Sequence, residues 1–252
     1  MECDLVRKGP NEFLKNIFET DEKRESVIQG LFPDKLTVIE KALKVQLQGF
    51  KTFYEDDTGA TFRIPAQQLL ARLFNNQLAA RKLLLMGYVT EAASVLARAM
   101  ETSWLARYFD CYPDEVDKWW MKKSNKKEFS PQKLREGLKK AYDEGLIRIG
   151  NMENENILYQ DLCEIGHPNF FGSAWHLNVL NESPLEIELI LGGYGGQKRL
   201  ESLKVVFNHF LRIQRISIGT IAAVHSEFLD KNPIWDAAGL SIIKELTNCI
   251  DD

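Results

Sequence analysis

Between Gly87 and Tyr108 the chain offers a helix with almost no surface fit for water. Its residues are apolar nearly all the way round, and one narrow polar line, Glu91, Ser94, Arg98 and Glu101, interrupts them at spacings of 3, 4 and 3. A helix of that kind is stable only when other elements cover it. The rest of the sequence must therefore supply packing partners on most of its sides. The polar line is either the one wet face of this helix or a polar seam inside a bundle.

The partners are legible as further helices. Asp34 is a candidate N-cap for a helix to about Tyr54, with Leu36, Ile39, Leu43, Leu47 and Phe50 as its apolar stripe. A second follows Pro65, carries Leu69, Leu70, Leu73, Phe74, Leu78, Leu83 and Leu84, and ends at Gly87, a residue suited to the C′ position. With the 88–109 helix it forms an antiparallel hairpin across a very short loop. Shorter helices are expected from Pro113 to Trp120, from Ser130 to Glu144 before Gly145, and from Asn154, a candidate N-cap, to Ile165. Residues 173–192 change period: Trp175, Leu177 and Val179, then Leu185, Ile187 and Leu189, alternate with polar residues around Asn181-Glu182-Ser183-Pro184, which predicts a small β-hairpin. A long helix from Gln197 to Leu229 and a last one from Pro233 to Cys249 complete the pattern. No repeat of fixed period occurs. The expected fold is mainly α: an antiparallel bundle of seven or eight helices over residues 34–252 with a β-hairpin insertion. Residues 1–33 form an N-terminal extension holding a short helix at 11–19.

Composition agrees with a globular chain. Of 252 residues, 44% are hydrophobic and 27% charged, and the net charge of −4 exerts no long-range pull on nucleic acid. Cys3, Cys111, Cys163 and Cys249 are far apart and form no CxxC pair, which removes the main support for a zinc ribbon or thioredoxin-like site and suits a reducing compartment. The first residues lack the apolar core of a signal peptide and every long helix carries charges, so the expectation is a cytoplasmic protein with no membrane partner.

Several constellations bear on chemistry. Glu164-Ile165-Gly166-His167 is an ExxH, but a dimetal bundle needs a second such pair, and neither His176, His209 nor His225 has a Glu three residues before it. No metal or cofactor is called for. Arg98, Glu101 and His167 together offer a cation, a carboxylate and an acid–base group, and are the candidate catalytic set. Lys122, Lys123, Lys126 and Lys127 beside Trp119-Trp120 are the candidate nucleic-acid contacts, with stacking and phosphate pairing as the physical basis. Gly192-Gly193-Tyr194-Gly195-Gly196 lacks the GK[ST] ending of a phosphate loop and reads as a flexible connection. Leu203, Phe207, Phe210, Leu211, Ile218 and Ile221, interrupted by Gln214, form a stripe that serves a core or a dimer interface.

Glu91-Ala92, Arg98-Ala99-Met100-Glu101 and Tyr159-Gln160-Asp161-Leu162-Cys163-Glu164-Ile165-Gly166-His167-Pro168-Asn169 resemble short motifs in a group of uncharacterised bacterial helical proteins that looks related to the HEPN superfamily. The resemblance spans roughly residues 65–230. It implies an all-helical, often dimeric fold, and a setting in bacterial defence or stress, where HEPN relatives include ribonucleases. Their pattern is an Arg and a His on one helix with four to six residues between. Here the positions at that distance before His167 hold Gln160, Asp161 and Leu162. The expectation is thus a helical module that acts by binding, with a homodimer, a protein partner or RNA as candidate partners. The alternatives are a HEPN-like ribonuclease with a rearranged site at Arg98, Glu101 and His167, and a sensor of a small ligand.

Overall fold

A computed structural model describes residues 10–55, 63–121, 128–147, 151–167, 177–182, 185–189, 198–224 and 232–251. Helices dominate them: α1 (Pro10–Leu31), α2 (Pro33–Glu55), α3 (Arg63–Leu85), α4 (Val89–Cys111), α5 (Val116–Trp120), α6 (Pro131–Asp143), α7 (Met152–Gly166), α8 (Lys198–Val224) and α9 (Pro233–Asp251). A 3₁₀ turn at Pro113–Glu115 leads into α5. Leu177–Glu182 (β1) and Leu185–Leu189 (β2) pair antiparallel, with a shift of register between Val179 and Asn181.

Helix α4 is the axis, packed against α3, α6, α7 and α8. Ala92, Ala93, Leu96, Ala99, Met100, Trp104 and Phe109 are wholly covered. On the other side of the bundle α2 and α9 close on α8. Trp235 of α9 lies over Gly49, where a Cβ would come within 2.9 Å of the indole nitrogen, and its Nε1 donates to the Val45 carbonyl at 2.8 Å. The close approach requires a residue without a side chain at position 49.

Two helices end by the same device. Gly87 has φ +80°, its N–H donates to Leu84 O at 2.9 Å, and the next N–H, of Tyr88, reaches back to Leu83 O at 2.8 Å. Gly145 repeats the pattern at φ +74°, with bonds to Tyr142 O and, from Leu146, to Ala141 O. This is the Schellman arrangement, and its positive φ favours glycine.

The structure corrects the sequence reading in three places. The first helix runs from Pro10 to Leu31 instead of over 11–19, and Ile28 near its end is buried at 1% exposure. It is tied to the α3–α4 hairpin by Tyr88 Oη donating to Asp21 at 3.0 Å and by Lys82 pairing with Glu25 at 2.6 Å. The N-cap of α7 is Asn151, whose Oδ1 accepts from the N–H groups of Glu153 and Asn154, each at 3.1 Å, so Asn154 lies inside the helix. Leu47 and Leu78, placed on buried stripes, are 50% and 42% exposed, while their neighbours Gln46 and Gln77 are fully buried. Nine helices are present among the described residues: α1 in the N-terminal stretch and eight in the bundle, the larger of the two expected numbers.

The two buried glutamines explain the third correction. Gln46 and Gln77 face each other across α2 and α3 with reciprocal amide bonds of 3.0 Å, and Gln46 Nε2 also donates to Gln214 Oε1 of α8 at 2.6 Å. Buried amides are tolerated because they bond one another. Two turns along α8, Thr220 donates to Ile216 O and therefore accepts from Ser103 of α4 at 2.7 Å. Gln214 Nε2 and Ser217 Oγ are left unpaired in this layer.

Candidate ligand-binding site

Helices α4 and α7 run antiparallel, and their contacts fix the register. Ser94 Oγ donates to the Gly166 carbonyl at 2.8 Å, Tyr159 Oη donates to Glu101 at 2.7 Å, and Trp104 and Arg107 both meet Glu155. The polar line of α4 therefore lies along the margin of this contact. Glu91 and Arg98 are exposed, and Ser94 and Glu101 are half-buried and bonded to α7.

That register sets Glu101 and His167 apart along α7, while Arg98 lies one turn of α4 from the contact of Ser94 with Gly166. Glu101 sits opposite Tyr159, and His167 is eight residues further along α7, about 12 Å at 1.5 Å per residue. Arg98 and His167 are exposed, and no hydrogen bond or ion pair joins Arg98, Glu101 and His167. The backbone N–H of His167 donates to Cys163 O, as at an ordinary helix end. The residue that matters in Glu164-Ile165-Gly166-His167 is the glycine. A Cβ at Gly166 would lie 2.8 Å from the Ser94 backbone nitrogen, so its absence lets the end of α7 touch α4.

Lys122, Lys123, Lys126 and Lys127 lie outside the described residues, as do His176, His225 and the glycine run 192–196. Of the indoles beside those lysines, Trp119 is half-buried against Phe109, ring centroids 5.4 Å apart, and Trp120 is 42% exposed. Among the described residues no group of three or more His, Cys, Asp or Glu is placed to hold a metal, and no helix is long and apolar enough to cross a membrane. Burial pushes the Cys111 thiol up to about 11 and raises Cys163 as well, so neither is a ready thiolate. His209 is 7% exposed, and burial drives its imidazole down to about 4 against the opposing pull of Asp161.

The chemistry concentrates one turn further along α4. Arg107 grips Glu155 with both ends of its guanidinium, Nη1 to Oε1 at 3.0 Å and Nη2 to Oε2, and Trp104 Nε1 donates to the same Oε2 at 2.7 Å. The two charged side chains are only 3% and 6% exposed. A buried carboxylate is tolerable when it is paired and hydrogen-bonded, and here three donors meet its two oxygens, while Arg107 Nε is left without a partner. On the outer side of Trp104 stands Tyr159, ring centroids 4.9 Å apart. The guanidinium of Arg135, on α6, lies 5.4 Å from both ring centres, a cation over two π faces. Burial, and then the bond to Glu101, hold the Tyr159 phenol well above its ordinary range, so it stays a donor.

Arg135 also lines an open cleft of about 700 Å³ between α6 and α7. Glu136, Lys139, Tyr142 and Asp143 share the α6 wall, and Asn151, Glu153, Asn156 and Gln160 form much of the other, so three carboxylates line the cleft beside its two cations. Asn156 Oδ1 is buried without a hydrogen-bond partner. The layers thus run inward from cleft to Arg135, to the Trp104–Tyr159 pair, and to the Arg107–Glu155 pair.

No family model, curated protein or solved structure matches the chain.

Sequence reading passed over Arg107, Glu155, Trp104, Tyr159 and Arg135 as a group. One signal was present: Arg107 lies off the polar line of a helix otherwise apolar there, so a buried arginine had to find a carboxylate on another helix. Nothing local identified that partner as Glu155, 48 residues on.

Proposed function

We propose that the protein acts by binding a small molecule in the α6–α7 cleft, as a sensor or carrier module. The observation that carries this reading is Arg135. Its position is set by two aromatic rings, Trp104 anchored by the buried ion pair and Tyr159 by Glu101, while its own charge has no carboxylate partner among the described residues. A recognition group held this way is preorganised, so little ordering entropy is lost when a ligand arrives. The cleft volume lies within the range of small-ligand sites, roughly 300–1,000 Å³. Helix α7, which forms one wall, is held to α4 at both ends by Gly166–Ser94 and Glu155–Arg107, giving the ligand a rigid support.

The test is retention of small molecules from a cell extract, read by mass spectrometry, on the wild-type protein and on Gln160→Trp. Gln160 is exposed and lines the cleft, so an indole there fills space without disturbing the core. Compounds held by the wild type and lost from the variant are expected. Equal retention by both, or none by either, contradicts the reading.

A further inference from the structure

Helix α9 keeps one side for the core and one for something else. Trp235, Ile242 and Leu246 turn inward, Gly239 lies against Ile218 of α8, and Glu245 pairs with Lys41 of α2. The other side carries Asp236, Ala237, Leu240, Ile243, Lys244 and Thr247, at steps that hold one seam of a helix in line. Leu240, in the middle of the seam, is 61% exposed. Ala237 and Lys244 are exposed, and Ile243 is half-buried. The apolar stripe of α8 that the sequence offered to a dimer is already spent, since Phe207, Phe210 and Ile221 are covered within one chain.

The charges of the seam are self-complementary. Asp236 and Lys244 stand four residues to either side of Leu240. They are about 12 Å apart along the helix, too far to pair with each other. Neither makes an ion pair or a side-chain hydrogen bond with a described residue. A two-fold axis beside Leu240 reverses the order of the charges, so each carboxylate faces an ammonium of the other copy. A parallel pairing would set Asp236 against Asp236 and Lys244 against Lys244.

We propose that α9 pairs antiparallel with α9 of a second copy of this chain, about a two-fold axis at Leu240. The interface is isologous, the same seam serving both copies. Leu240 meets Leu240 of the second copy, Ala237 leaves room for Ile243, and Asp236 and Lys244 form two symmetric ion pairs. One pair of helices buries less than the roughly 1,200 Å² of the smallest standard interfaces, so the dimer comes apart on dilution.

Sedimentation equilibrium of the full chain from about 1 μM to 1 mM tests this, a span that brackets weak association. The mass should rise from monomer to dimer within it. Leu240→Glu sets two carboxylates on the axis and should weaken the dimer by about tenfold or more. Asp236→Lys and Lys244→Glu each make every charge contact of the seam repulsive and should weaken it by a similar factor. An equimolar mixture of those two variants should dimerise again, because each then meets the opposite charge on the other. Leu78→Glu, exposed on α3, should change nothing. Circular dichroism checks that every variant folds. A monomer at all concentrations overturns the proposal, as does a dimer that none of the α9 substitutions weakens. Charge variants that stay apart when mixed overturn the antiparallel register.

Discussion

Two polar regions are buried in this bundle, and they are built differently. The first, among α2, α3 and α8, is neutral: Gln46, Gln77 and Gln214 bond one another as amides inside the core, with Gln214 Nε2 left unpaired. The second, among α4, α6 and α7, is charged and graded: a closed ion pair innermost, aromatic rings next, and an unpaired arginine at the edge of a cleft. The neutral layer fixes which helix faces meet, since a slipped helix would strand an amide in apolar surroundings. The charged cluster fixes where one cation stands. Its outermost member, unlike any glutamine of the first layer, has chemistry left for something outside the protein.

The largest effect should come from breaking the ion pair. Glu155→Leu or Arg107→Met leaves an uncompensated buried charge and should cost about 3–5 kcal/mol in urea unfolding. The double variant should recover most of that loss, because two apolar groups replace two mutually paired charges. Full loss in the double variant would mean that the pair stabilises the fold outright and not only the platform under Arg135.

His209, buried between the two regions on α8, sharpens the comparison by pH. Its folded pKa of about 4 lies below the ordinary 6.5, so the unfolded chain takes up the proton first. Its contribution is whole above pH 6.5 and is lost as pH falls toward 4, by about 3 kcal/mol for a shift of this size. His209→Phe should flatten that part of the stability profile measured by urea unfolding across pH 7 to 4. An unchanged slope would show that the imidazole reaches water in the folded protein.

Gln46→Leu tests the neutral layer. It leaves Gln77 and Gln214 without their partner and should cost about 2 kcal/mol, an unpaired buried amide being the main penalty. It should leave small-molecule retention at the cleft unaltered. A loss of retention would couple the two regions and break the distinction between them.

The amphipathic pattern was a good guide to the helices and a poor one to these polar groups. Leu36, Ile39 and Leu43 were placed on a buried stripe and are buried. One turn on, the same stripe predicted Leu47 inside, and Gln46 lies there instead. The same exchange occurs at Leu78 and Gln77. A helix covered on more than one side leaves little bias to its apolar stripe, and then mutual hydrogen bonding decides which neighbour turns inward. Gln214 was visible as an interruption of an apolar stripe, but the sequence does not show that its partner lies 168 residues away. The candidate site suffered more. Arg98, Glu101 and His167 were grouped by type and proximity to short motifs, and no hydrogen bond or ion pair joins them. Glu155 and Arg135 belong to helices whose pairing with α4 is a tertiary fact.

The smallest effect should be on stability at the cleft rim. Asn151→Ala removes the cap of α7 and should cost about 1 kcal/mol. Arg135→Gln should cost no more than about 1 kcal/mol, the worth of a partly exposed cation–π contact. Both are checked by thermal unfolding. A larger loss for Arg135→Gln would make Arg135 a structural strut of the charged cluster.

The most direct measurement is hydrogen exchange of the whole protein with and without the small-molecule fraction of a cell extract. The account expects added protection in 131–143 and 152–160, the two walls of the cleft, and none in the segments around Gln46, Gln77 and Gln214. Protection centred on those glutamines, or no change along the chain, would contradict it.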